Sequence, residues 1–236
     1  MEEGENGDGI MQGLKEYKGL AIVLSRTNYG EADRIVRFLT PVGVISAVAR
    51  GVRREKSKLR GGAEPFALNE VSIIAGKSEL GILRSARAVH LYEKIIYDFA
   101  AMEVAAEVIK MIQKLTRDHD DPNNFAILEA VLTELERTQN YQAVLLWAYL
   151  RLTASVGVQL NLATDVLGEP LAVEVEYDYD AHEHAFRAVA EGVFDARHIK
   201  LLRLVMVVDL AVFLRVENVA ELLPVCMDYA RAQLQQ

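Results

Sequence analysis

A two-domain α+β chain, with an N-terminal five-stranded barrel followed by an all-α helical domain about twice its size, is the architecture this sequence predicts. Three observations carry the prediction. Between residues 19 and 90, short apolar or β-branched runs alternate with turn signals; beyond residue 90, apolar residues recur with a period near 3.6; and the charge divides close to the same place. The 236 residues are 51% apolar and 25% charged, a globular composition long enough for one large or two small domains.

The strands come first. Residues 20–24 form a compact apolar run, 27–30 carry turn chemistry, and 32–40 are β-branched and apolar around Arg34 and Arg37. Gly30 and Asp33 would equally begin a helix over 32–38. Pro41-Val42-Gly43 turns the chain into a third strand over 44–49, and a polar loop over 50–62 leads to strands over 69–75 and 80–89, joined around Gly76-Lys77-Ser78. Five short strands with one long connection favour a closed unit, since closure removes exposed edges, and the OB-fold is one solution.

Leu91, Ile95, Phe99, Met102, Ala105, Val108 and Ile112 then predict one long helix that stops near Thr116. Asp121 before Pro122 caps a second helix through Phe125, Leu128 and Leu135, and a third runs over 140–156 to Gly157. Residues 160–179 are mixed, with a turn at 168–170 and alternation over 173–177. Asp195 caps a helix over 196–216, and Asn218 begins a last one toward Gln235 with Pro224 early in it. The apolar stretch 201–214 is interrupted by Arg203 and Asp209 and falls short of the roughly 20 residues a membrane span needs. The division expected is an acidic disordered tail over 1–13, a barrel over 14–87, and a helical domain over 88–236 with a mixed insert near 160–184.

The formal net charge of −8 argues against a uniformly basic DNA-coating protein, but it is an average over unlike segments. Residues 1–13 carry −4; residues 14–87 hold 14 Lys+Arg and 7 Asp+Glu, a balance of +7; residues 88–236 hold 12 and 23, a balance of −11. Such asymmetry points the basic segment at a polyanion and the acidic one at proteins.

The positive charge concentrates in residues 50–62, where Arg50, Arg53, Arg54, Lys56, Lys58 and Arg60 face the single acid Glu55. Density of this kind resists packing and is rewarded by phosphates, because each neutralised phosphate releases condensed counterions. Gly51, Gly61 and Gly62 let the loop follow a curved backbone, and guanidinium forks grip phosphate oxygens in pairs. A solvated loop is the plainer reading. Arg53, Arg54, Lys56, Lys58 and Arg60 are the expected phosphate contacts, with Arg34, Arg37 and Arg50 in support. Aromatic residues able to stack bases are few in this segment: Tyr17, Tyr29, Phe38 and Phe66.

The same residues carry a resemblance. Tyr29-Gly-Glu-Ala-Asp-Arg34, Phe38-Leu-Thr40, Gly43 with Ile45-Ser46, Ala49-Arg-Gly51, Lys58-Leu-Arg-Gly-Gly62, Pro65-Phe66 and Ser78-Glu-Leu-Gly81 together resemble the N-terminal signature of the RecO family of bacterial recombination mediators. The resemblance implies an OB-fold and a helical domain, and no enzymatic activity or cofactor. It further implies binding of single- and double-stranded DNA, annealing of complementary strands, and a RecR-like partner. Through these, RecA would be helped onto DNA covered by single-strand-binding protein, whose acidic tail is a further expected contact, in the cytoplasm at the nucleoid and away from membranes. A basic pocket for that tail is conceivable around Arg197, Lys200 and Arg203. Many members of the family carry a cysteine zinc module after the third helix, whereas residues 160–184 here hold no cysteine.

Other chemistry finds little footing. Asp178, Asp180, His182, Glu183 and His184 are metal-competent types, but His182 and His184 are two apart and diverge on either regular structure, and an exposed acidic turn explains them as well. No Gly-x-x-x-x-Gly-Lys-Ser/Thr loop is present. His90, His119 and His198 have no Ser or Cys partner in a recognisable motif, and Cys226, the single cysteine, excludes an intramolecular disulfide and reads as a buried small hydrophobe of a reducing compartment. Two rivals share the basic loop: an adaptor whose barrel binds an acidic protein segment, and an RNA-binding OB module.

Overall fold

The computed structural model describes residues 15–57, 59, 64–76, 80–116, 121–158 and 160–233. The acidic tail, Lys58, Arg60, the glycines 61 and 62, Ser78 and Glu79, and His119 lie outside them. Five strands, β1 (Glu16–Tyr29), β2 (Asp33–Thr40), β3 (Gly43–Ala49), β4 (Ala67–Ile74) and β5 (Gly81–Leu91), close a barrel in the order β1-β2-β3-β5-β4. All pairs are antiparallel except β3 with β5, whose seam is two residue pairs long, Ala47↔Gly81 and Val48↔Ile82. β1 is much longer than the apolar run 20–24, because one strand serves two neighbours. Its first half pairs with β4 up to Ile22, and from Ile22 onward it pairs with β2 as far as Tyr29↔Asp33, with a bulge between Val23 and Ser25. The turn therefore falls after Tyr29 rather than at 27–30, and 32–38 resolves as strand rather than helix, since Val36 and Phe38 alternate into the barrel.

By internal contacts the chain divides into residues 1–137 and 138–236. In the first unit, Ala21, Val23, Val36, Phe38, Ile45, Ala47, Val71, Ile73 and Leu83 fill the barrel. The opposite faces of β1 and β2 are covered by α2 (Phe99–Leu115) and α3 (Asn123–Leu135) respectively. The single helix expected from residue 91 onward is broken: α1 (Glu93–Tyr97) ends at Asp98, whose carboxylate accepts from the Ala101 amide at 3.1 Å and so starts α2. Asp121 accepts from the Asn123 amide at 2.8 Å ahead of α3.

The second unit is built on α4 (Tyr141–Ser155), buried along most of its length and packed against α5 (Ala196–Val207) and α7 (Leu223–Gln233). The helix expected over 196–216 breaks at Val208-Asp209 before α6 (Leu210–Phe213). Two α4 side chains take the carbonyls freed there: Trp147 Nε1 donates to Val208 O at 3.0 Å and Arg151 to Met206 O at 2.6 Å. The last helix begins at Leu223 rather than Asn218, which sits at φ +57, outside helical space. Residues 176–189 form a hairpin, β6 (Glu176–Asp180) with β7 (Ala185–Val189), so this half is helical around a two-stranded sheet.

Asp195 caps α5 as its sequence position predicts, accepting from the Arg197 and His198 amides at 2.9 and 3.1 Å. His198 Nδ1 lies 2.8 Å from the same carboxylate. Partial burial alone would raise the pKa of the Asp195 carboxyl, but the Arg197 side chain, the His198 amide and ring, and the Arg197 amide outweigh that and hold it at about 2. A carboxyl depressed on folding stabilises above its unfolded value of about 3.9 and loses that contribution as the pH falls toward 2. Asp195→Asn, which keeps a capping oxygen without charge, is therefore expected to melt below the wild type at pH 6 and to converge on it by about pH 2, read by circular dichroism.

Candidate nucleic-acid interface

The barrel's strand register decides where the expected cations point. Arg34 pairs with Asn28 and Ala49, on the face that carries Val36 and Phe38 inward, and its Nε donates to Asn28 Oδ1 at 3.3 Å. Arg37 pairs with Ser25 and Ser46 on the opposite face. Three residues apart in sequence, the two guanidinium groups leave β2 in opposite directions, so they do not act on one stretch of ligand as neighbours.

The loop after β3 is fixed at its root, and residues 53–56 in it are exposed. Gly51 sits at φ +64, a conformation glycine adopts without strain, and its amide donates to Asp33 Oδ1 at 2.7 Å. The Arg53 amide donates to Ala32 O at 3.0 Å, and its guanidinium reaches toward Gly30 O at 3.5 Å, so the loop lies along the β1–β2 turn. Val52 is buried in the barrel core and Leu59 is packed against that core, two apolar pegs between which the chain turns through Arg54 N to Gly51 O and Ser57 N to Arg54 O. With the pegs inward, Arg50, Arg53, Arg54 and Lys56 are exposed. Among the described residues Arg50, Arg54 and Lys56 make no ion pair, whereas the wall cations Lys18, Arg26 and Arg87 face Glu16, Glu64 and Glu70. Unpaired charge thus gathers on the loop. Lys58 and Arg60, also expected there, lie outside the described residues.

Arg84 is a cation the sequence reading missed. It occupies the bulge of β5 between Leu83, paired with Ile73, and Ser85, paired with Ser72, and it is exposed. It stands two residues beyond the Val48↔Ile82 pair, as Arg50 does on the adjoining strand. Alternation from the inward Leu83 turns it outward, and the bulge delays the return to the core to Ala86.

In the second unit the suggested basic pocket does not assemble. Arg197 is held by Asp195 and Glu221 at 2.9 and 2.7 Å, and Arg203 donates to Leu162 O at 2.8 Å on the edge of an open apolar groove of about 660 Å³. The residues at the β6–β7 turn do not fit a zinc module either. No cysteine is present there, and Asp180 accepts from the His182 and Glu183 amides and from Arg187 at 2.7 Å, which hold its pKa at about 2. Phe186, Phe194, Tyr177, Tyr179 and Tyr229 instead form an aromatic cluster, with Phe186 stacked on Tyr229 at 5.6 Å between centroids. Cys226 is buried, which pushes its thiol up to about 12 and leaves it no thiolate to attack with. His90 lies 2.7 Å from Glu136. No helix among the described residues is long and apolar enough to cross a membrane.

Residues 11–92 match the family description "Recombination protein O N terminal", and residues 96–236 match "Recombination protein O C terminal". Among similar proteins, "DNA repair protein RecO" of Bifidobacterium longum (strain DJO10A) is 38% identical over 125 residues, 51% of this chain and 52% of its own length. The protein of the same name from Myxococcus xanthus is 34% identical over 125 residues, covering 52% and 51%. That from Thermobifida fusca is 32% identical over 138 residues, covering 57% and 56%. The chain thus spans about half the length of the curated relatives it matches in these alignments, while the two family descriptions cover it from residue 11 to its end. A five-stranded barrel carrying the motifs at Tyr29–Arg34 and Ala49–Gly51, followed by helices where the second description applies, leaves one conclusion: the chain belongs to the recombination protein O family.

Proposed function

We propose that the protein is a non-enzymatic DNA-binding mediator of recombinational repair. The observation that carries the reading is the exposed cation run Arg50, Arg53, Arg54 and Lys56, without acidic partners among the described residues and pegged to the barrel by Val52. Lys58 and Arg60 extend that run, and Arg34, Arg37 and Arg84 add positive charge elsewhere on the barrel, which in this reading is the nucleic-acid-binding domain over 14–87. Two like-charged strands held on one cationic surface repel each other less, so annealing of complementary strands follows from neutralised phosphates without a covalent step. The acidic body from residue 88 onward, at −11, repels DNA and is assigned to protein contacts with a RecR-like mediator and, through it, RecA; the acidic tail of single-strand-binding protein, which that charge also repels, is assigned to the cations of the barrel.

Fluorescence anisotropy with a single strand of about 30 nucleotides, compared at two salt concentrations, tests the reading. Each phosphate contact contributes about 0.7 to the log-log salt slope on single strands, so Arg53→Ala/Arg54→Ala/Lys58→Ala is expected to weaken binding at low salt and flatten the slope by about 2. Absence of wild-type binding at low salt, or a triple variant with the wild-type slope, overturns it. An RNA-binding module would prefer RNA of the same sequence, and a protein adaptor would bind neither polymer.

A further inference from the structure

Phosphate contacts alone do not tell a single strand from a duplex; an exposed aromatic face does, because only an unpaired base can lie on it. Of the four aromatic residues in the barrel segment, the fold withdraws two outright. Tyr17 is 9% exposed with its hydroxyl donating to Leu20 O at 2.7 Å, and Phe38 is wholly buried. Phe66 is partly buried at φ 55, immediately before β4. Tyr29 is 54% exposed, and its side chain makes no hydrogen bond or ring contact among the described residues.

Its position is set by pairing. Tyr29 is the last residue of β1, opposite Asp33, on the face that the register Ser25↔Arg37, Thr27↔Ile35, Tyr29↔Asp33 directs away from the barrel core. The bulge between Val23 and Ser25 turns it outward, since without that extra residue Tyr29 would share the inward face of Ala21 and Val23. The hairpin end that carries it is the one the cationic loop lies along. Asp33 holds the Gly51 amide, the Arg53 amide is bonded to Ala32 O, and the Arg53 guanidinium approaches the carbonyl of Gly30, the next residue after Tyr29. An aromatic ring open to solvent is thereby kept beside a run of cations by contacts of the backbone, the Asp33 carboxylate and the Arg53 guanidinium.

We infer that Tyr29 forms a stacking subsite for an unpaired nucleobase, with Arg53 and Arg50 placed for the phosphates on either side of it. The inference rests on the nucleic-acid reading above and adds to it a preference for single strands. The subsite is tolerant of sequence, since every base presents a π-face.

The test uses the full chain, its Tyr29→Ala and Tyr29→Phe variants, and two probes read by anisotropy at low salt: an oligothymidylate of about 30 nucleotides, and a duplex of equal length closed at both ends by non-nucleotide linkers so that it offers no unpaired base. Tyr29→Ala is expected to bind the single strand roughly 5- to 100-fold more weakly and the duplex within about twofold of wild type, with the salt slope unchanged, while Tyr29→Phe, which keeps the ring, binds both as wild type does. Equal losses on the two probes, or an unchanged single-strand affinity in Tyr29→Ala, overturn the stacking subsite and leave the phosphate-binding loop standing. A wild type that binds neither probe overturns both.

Discussion

Phe186→Ala is expected to lower the stability of residues 138–236 by about 3–5 kcal/mol, a loss visible as an earlier thermal or denaturant transition in far-ultraviolet circular dichroism. The ring is wholly buried and touches the rings of Tyr177, Tyr179, Phe194 and Tyr229, so its removal empties the centre of the cluster rather than one edge. The collapse that softens many cavities is hindered here. Its partners come from the β6–β7 hairpin, the segment before α5 and α7, and the hairpin is tied back by the Tyr177–Phe194 pair of backbone hydrogen bonds at 2.9 Å each. Aromatic packing occupies the part of the chain where the resemblance leads one to look for a metal module, and it holds the hairpin without sulfur ligands. Phe186→Leu retains most of the apolar volume and is expected to cost clearly less; equal losses for the two variants would mean that the ring contacts contribute nothing beyond being apolar.

Gly81→Val is expected to damage the barrel at its narrowest seam, by about 1–3 kcal/mol through overpacking. A Cβ at Gly81 would lie 2.5 Å from Ile73 Cγ2 and 3.3 Å from Ile74 O, and valine adds two methyl groups beyond it. The seam consists of two residue pairs, Ala47↔Gly81 and Val48↔Ile82, and the cationic loop leaves β3 directly after it. In the proposed function the same substitution therefore weakens oligonucleotide binding without removing a charge. Denaturant unfolding and anisotropy on the same sample check this, and a variant as stable as wild type would show that Ile73 yields at no cost.

The parts of this protein legible in its sequence are those whose cause is local. The cation run at 50–60 is contiguous, and the cap of α5 is an acid directly ahead of an apolar period, so both are plain without coordinates. Arg34 and Arg37 show the limit: three residues apart, they share a face on the helix that 32–38 also allows and take opposite faces on a strand, and the pairing with β1 and β3 decides for the strand. The bulge of β5 shows it again, since it brings the chain back to the core at Ala86, one residue later than alternation from Leu83 would. The break before α2 is hidden because Asp98 suits a helix surface as well as a cap, and apolar periodicity continues through Tyr97 and Phe99 on both sides. Around 173–180 the alternation is visible, but the strand starts at Glu176, where Tyr177 and Tyr179 find aromatic partners from β7 and α7.

The division of β1 between two neighbours also orders the assembly of the barrel. β1, β2 and β3 meet through short turns, whereas β1 pairs with β4 across pairs as remote as Glu16↔Ile74, so a three-stranded meander is expected to form early and β4 with β5 to dock onto it later. Residues 50–66 span that delay. Chain entropy charges such a connection only logarithmically, about 0.6 kcal/mol for each doubling of its length, and Val52 and Leu59 already supply its anchorage. Insertions between those two anchors are thus nearly neutral for folding, which leaves the length and the cation content of this stretch open to selection for whatever it grips.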